Sequence, residues 1–247
     1  MNVVGQSQRS NQSQVRFMVG KLSAMRKRTD EIWDETERRH PVDIDQMEDL
    51  IVSVYEWKTF AQGKEFESSP LLAEALLDIL GSLNSILNGY YRQGMFSLRS
   101  CLEMVAGFTY YVDHPLEFKR WRLSDSNDAD SKLSKWLEDG FMTQQYVKFF
   151  VPEEKVEGGL DSRIRELYRK LSKFIHAQKE DNMQFDKDSI RIEFDEGRFN
   201  RSRDYFIQVA RVCNLTLTIR FWKDLQSKPE LRKSLVKIIG ANEAVKM

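Results

Sequence analysis

The sequence predicts an all-α helical bundle with flanking helices and at most one short β-hairpin or edge strand. Three observations carry this expectation. Apolar residues recur at three- and four-residue steps through most of the chain. Only 5 Pro and 12 Gly interrupt 247 residues, and a single segment, 189–195, alternates apolar with polar side chains. A content of 41% hydrophobic and 31% charged residues suits a folded chain rather than a disordered one. The length allows one large domain or two small ones. With no repeat period and no linker, residues 15–247 read as one domain with a core bundle over about 70–225.

The first fourteen residues, rich in Gln, Ser and Asn, read as a flexible tail. Val15, Met18, Leu22, Met25 and Ile32 then mark one face of a helix that stops before Pro41. Asp43 is placed to cap a second helix carrying Ile44, Met47, Ile51, Val54 and Trp57, and Ser69-Pro70 to open a third through Leu72, Ile79 and Leu87. Gly89 separates that helix from a fourth, running from Tyr90 to about Val112. This one is apolar nearly all round, as befits a helix inside a bundle.

A polar loop is expected over 124–131, short helical pieces around Leu133–Leu137 and Tyr146–Phe150, and a break over 152–159. A fifth major helix runs from Asp161, read as its N-cap, to about His176. After the strand-like segment, a long helix from about Asn200 to Leu225 and a last one from Pro229 to near Gly240 complete the chain.

The 38 basic and 38 acidic residues cancel, which excludes the uniform basic coat of many non-specific nucleic-acid binders. The balance is local, however. Residues 161–179 hold six basic against two acidic side chains, and residues 180–204 hold five against eight. A polyanion would therefore meet a focused patch. Cys101 and Cys213 lie in apolar helical patterns and read as small buried hydrophobes of a reducing compartment. The N-terminus lacks a signal-peptide pattern, and no run of about 18 apolar residues occurs, so a soluble cytoplasmic protein away from membranes is expected. Three His and two Cys, scattered, give no metal-ligand spacing, and no phosphate loop or nucleophile elbow is present, so neither a metal nor a cofactor is expected.

Two groups of residues could carry chemistry. Within 91–112 the only charged side chains are Arg92, Arg99 and Glu103, which fall within about 40° of one another on the helix, with Tyr110 on the same line. Charges on an apolar helix are costly to bury unless paired, so Arg99 and Glu103, at i and i+4, should share a contact beside a polar cleft. The structural alternative is an internal ion pair that fixes helix packing. In the fifth helix Ile164, Leu167, Leu171 and Ile175 face the core. Arg165, Arg169, Ser172 and His176 form a second stripe about 60° wide at the edge of that face.

A His among arginines is favoured in its neutral form and suited to accept a proton near neutral pH, and an Arg can hold a phosphate with forked donors. The alternative is that His176 answers the helix dipole and Arg169 a surface pair. The cluster Arg26-Lys27-Arg28 reads as a solvated face, and His40 and His114, each before a Pro, as helix-end residues.

The segment Leu167-Tyr168-Arg169-Lys170-Leu171-Ser172-Lys173-Phe174-Ile175-His176, preceded by Leu98-Arg99-Ser100-Cys101-Leu102-Glu103, resembles a group of bacterial and phage helical proteins similar to the HEPN superfamily (higher eukaryote and prokaryote nucleotide-binding domains). The signature of that family is an Arg, four to six residues, then a His near the end of a bundle helix. Arg169 and His176 fit it with six intervening residues, while Lys170 stands where many catalytic members carry Asn.

The resemblance covers roughly residues 70–225. It implies a bundle that often dimerises, placing two Arg/His pairs around one cleft, and in active members a metal-independent endoribonuclease used in toxin or antiphage-defence systems. Arg169 would then hold the scissile phosphate and His176 assist proton transfer, with Arg99, Glu103, Arg165 and Ser172 supporting the cleft. The resemblance leaves two further readings open. One is a non-catalytic module that binds a nucleotide or a partner protein such as an antitoxin; the other is a structural scaffold.

Overall fold

A computed structural model describes residues 4–123 (backbone alone for 4–21), 132–152, 158–176, 192–229 and 232. All regular structure among these is helical. In chain order the helices are α1 (Val4–Arg39), α2 (Pro41–Gln62), α3 (Pro70–Leu87), α4 (Tyr91–Asp113), α5 (Pro115–Leu123), α6 (Lys132–Glu138), α7 (Gln144–Phe150), α8 (Asp161–Ile175), α9 (Glu196–Arg220) and α10 (Trp222–Gln226). The loop expected over 124–131, most of the strand-like segment and most of the last helix lie outside the described residues; residues 192–195 are irregular.

Helix α4 is the axis of the bundle. It packs against α3, α8 and α9, and α2 completes the layer beside α3 and α9. Met95, Leu98, Cys101, Leu102, Val105 and Phe108, which cover two sides of this mostly apolar helix, are all buried. The α3–α4 corner is fixed by Gly89, whose φ of 78° lies in the left-handed region. The Gly89 N–H donates to the Ile86 carbonyl and the Tyr90 N–H to that of Ser85, the paired bonds of a Schellman cap.

Several helix starts differ from the sequence expectation for local reasons. Pro41 takes the first position of α2, so Asp43 falls inside the first turn instead of capping it. Its carboxylate meets His40 Nδ1 at 3.0 Å and Arg203 at 3.2 Å. Likewise Asp161 is the first residue of α8, following Leu160, whereas Asp195 caps α9 by accepting from the Arg198 N–H at 2.8 Å. Helix α1 reaches back to Val4, so residues 4–14, read from composition as a tail, are its first turns; their Gln and Arg are fair helix formers and no Pro stops the ladder. The long C-terminal helix ends at Arg220, where Phe221 turns the chain into α10.

Helix α3 alone, among the described residues, is long and apolar enough to cross a membrane, with a mean hydropathy of 1.4. Here Leu72, Ala75, Ile79 and Ile86 are buried in the bundle core. Cys101 of α4 and Cys213 of α9 are both buried and free, and the hydrogen bond to Cys213, with burial second, pushes the Cys101 thiol up.

Asp78, half-buried on α3, is held above the ordinary carboxylate range chiefly by burial, although it accepts a hydrogen bond from Ser100. A raised folded-state value penalises folding once the unfolded carboxyl ionises, and the penalty grows as pH rises through the window above the ordinary carboxylate value. Asp78→Asn should therefore raise the melting temperature at about pH 7. The gap from wild type should close as the pH falls below about 4, where Asp78 is protonated in both states. A lower melting temperature at neutral pH would contradict this.

Candidate functional site between α4 and α8

The charged stripe of α4 faces α8. Near the C-terminal end of α8, Arg92 Nε donates to the Phe174 carbonyl at 2.9 Å and Nη2 to that of Ile175 at 2.8 Å. These are two of the carbonyls that a helix end leaves without partners. Arg92 thereby fixes the turn from which His176 projects.

About two to three turns further along α4, Arg99 Nη1 pairs with Glu103 Oε2 at 3.3 Å, as the i,i+4 spacing predicted, with the two side chains 25% and 22% exposed. Arg99 Nε donates to Ser172 Oγ at 3.2 Å. Tyr168, whose spacing marks it only as one more helical aromatic, joins the pair. Its hydroxyl donates to Glu103 Oε1 at 2.6 Å and accepts from Arg99 Nη2, and the Arg99 guanidinium lies 4.4 Å from the centre of its ring.

The result is a partly buried four-residue network in which each charge has a partner, so it fastens α8 to α4. Arg99→Ala should cost about 1–3 kcal/mol by leaving the Glu103 carboxylate without its cation, and Tyr168→Phe about 1 kcal/mol, since the ring contact survives. Urea denaturation reads both, and equal losses in the two variants would contradict this division of labour.

The second stripe straddles the edge of that contact. Ser172 turns toward α4, while Arg165, Arg169 and His176 are exposed. Tyr168 and Ser172 sit one turn apart on the buried side, and Arg165 and Arg169 lie about 20° and about 60° further round the helix from Ser172. The structure thus brings Arg99, Glu103 and Ser172 together and leaves Arg165, Arg169 and His176 on the outer surface of the same helix. On the core side Phe174 is buried where Ile175 was expected; Ile175 is only partly covered. Lys170, next to Arg169, is paired with Glu166 at 2.7 Å. That bond, and more weakly Arg169, holds the fully exposed Glu166 carboxyl below its usual range.

Tyr110, on the same line of α4 as the charges, faces the other way along the bundle. It donates to Glu117 at 3.1 Å and stacks between His114 and Trp136 at 4.1 and 5.1 Å. His40 is held between Asp43 and Glu196, with its Nε2 3.1 Å from the latter, and stacks on Phe199. Both histidines are helix-end residues. Among the described residues no group of three or more His, Cys, Asp or Glu could hold a metal ion.

Beyond the network, the Arg99 and Glu103 side chains also border a cavity of about 270 Å³ walled by α3, α4, α5 and α6. Its aromatic walls are Tyr111, Trp121 and Trp136, with Lys132 at one side. Gly107 forms part of the floor, where a Cβ would lie 3.1 Å from the Trp136 ring. Arg169 and His176 are not among its walls. Nothing in the sequence marked this cavity, because its walls come from four helices whose aromatic residues each read as core. No protein-family model, curated protein or solved structure matches the chain.

Proposed function

We propose that the chain is a HEPN-like, metal-independent endoribonuclease of a cytoplasmic toxin or antiphage-defence system, acting through the outer face of α8. The observation that supports this reading most is the placement of Arg169 and His176. Both are exposed on one line of α8, about 10 Å apart along its axis, on a helix clamped to α4 at its middle and at its C-terminal turn. Side chains of that reach can bracket one phosphodiester.

In the reaction the RNA 2′-oxygen attacks phosphorus, His176 takes the 2′-proton, the P–O5′ bond breaks, and the 5′-oxygen leaves as a hydroxyl with a proton drawn from water, after which the imidazolium returns its own proton to the resulting hydroxide. One strand thus carries a 2′,3′-cyclic phosphate and the other a 5′-hydroxyl. Arg169 offsets the charge that develops on the phosphoryl oxygens, and Arg165 adds attraction for the neighbouring phosphate. Arg99, Glu103 and Ser172 act as positioning residues by holding α8. A homodimer, as the resemblance implies, would set two such faces across one strand.

A second reading, in which the same face binds RNA, a nucleotide or a partner protein without cleavage, is favoured by one observation: Lys170 stands directly after Arg169 and is already paired with Glu166. Incubating single-stranded RNA with wild type, Arg169→Ala and His176→Ala separates the readings. Cleavage by wild type alone, with unchanged melting temperatures, supports the nuclease. Binding that needs Arg169, with no cleavage by any of the three, supports the binder. Wild-type cleavage rates in both variants would remove these residues from the mechanism.

A further inference from the structure

We propose that the cavity between α3, α4, α5 and α6 is a binding site for a small planar aromatic ligand carrying one negative charge, of the arylcarboxylate class. The site is separate from the RNA-facing surface of α8, since Arg169 and His176 do not line the cavity.

Size comes first. About 270 Å³ is just below the range of ~300–1,000 Å³ occupied by drug-sized ligands, so one fused ring system with a short substituent fits. The walls then select flatness. Trp121 and Tyr111 lie nearly parallel, 24° apart with centroids 5.7 Å apart, and Trp136 meets Tyr111 edge-on at 79°. Together they offer both ring faces and ring edges to a guest, and offset and edge-to-face contacts are the favoured aromatic geometries. The absence of a side chain at Gly107 keeps the floor open beside the Trp136 ring. Leu133 and Leu71, both buried, complete an apolar base.

Charge decides the substituent. Within the walls Arg99 and Glu103 neutralise each other through their ion pair, and Lys132 adds one positive charge. An aromatic box usually favours cations, but here Lys132 opposes a second positive charge, while an anion gains Lys132 as a partner in a partly apolar site. Burial holds the Tyr111 phenol protonated, raised to about 12, so it offers a donor and does not compete as an anion. Trp121, which is 37% exposed, and the partly exposed Lys132 border both the cavity and solvent.

Isothermal titration calorimetry with three probes of one ring system tests this: 2-naphthoate, the neutral 2-naphthamide and the cationic 2-(aminomethyl)naphthalene. The expected order is naphthoate tightest and the amine weakest. Lys132→Gln should weaken naphthoate by about tenfold while leaving the amide unchanged, and Trp121→Ala should weaken both. Trp121 lies at the surface, and Lys132→Gln supplies an independent reading should Trp121→Ala fail to fold. Three results would overturn the proposal: no binding of any probe at millimolar concentration, an amine that binds as tightly as the acid, or naphthoate binding indifferent to Lys132.

Discussion

Trp57→Ala is expected to destabilise the protein by about 3–5 kcal/mol, the upper range for truncation of a single core side chain. Trp57 on α2 is fully buried and its ring meets Phe60 edge-on at 5.6 Å and Phe221 at 6.0 Å. Removing it opens a cavity at the junction of α2 and α9 that fixed helix backbones cannot close. The polar end matters as well. Trp57 Nε1 donates to Asn214 Oδ1 at 3.1 Å, and Asn214 Nδ2 donates to Ser53 Oγ at 2.9 Å and to the Ala210 carbonyl at 2.8 Å.

The buried amide is satisfied only while the indole is present. Trp57→Phe should therefore still cost about 1–3 kcal/mol through the orphaned Asn214 oxygen, although the ring volume is largely kept. Since whole domains are stable by only about 5–15 kcal/mol, Trp57→Ala should move the urea midpoint by a large fraction of its value. A shift below that of Trp57→Phe would mean that α2 and α9 can repack.

The second large effect is kinetic. His176→Ala is expected to lower the rate of RNA cleavage by about 10²–10⁴-fold, the range for loss of a proton-transfer group, with RNA affinity nearly intact. Arg169→Ala should weaken both binding and cleavage, since a phosphate contact serves ground state and transition state alike. Neither change should alter stability by more than about 0.5 kcal/mol, because both side chains are exposed. Arg99→Ala is the informative contrast. It should lower stability first and affect cleavage only through the seating of α8.

These contrasts also mark what the sequence made legible. The α4 charges were readable because three charged residues on an otherwise apolar helix are costly unless they share partners, and all three do find partners on α8 or within α4. Tyr168 was not readable, since a tyrosine beside a core stripe has the same pattern whether its hydroxyl meets water or a buried ion pair. Helix starts at Pro41 and Glu196 shifted by a few residues because a Pro at the first position or a capping Asp195 outweighs the apolar period. The aromatic cavity depends on how α5 and α6 fold back over α4, a tertiary relation that no local spacing encodes. Spacing alone puts Arg169 and His176 on one line of a helix, but whether that line faces Arg99 or solvent turns on the angle of about 60° between Ser172 and Arg169.

The measurement that bears most directly on the proposed activity is cleavage of total RNA by the purified full chain, with and without EDTA, beside His176→Ala. Fragments with 2′,3′-cyclic phosphate ends should form at the same rate in EDTA and be lost in the variant. Cleavage abolished by EDTA, or persisting undiminished in His176→Ala, would contradict a metal-independent nuclease that works through His176.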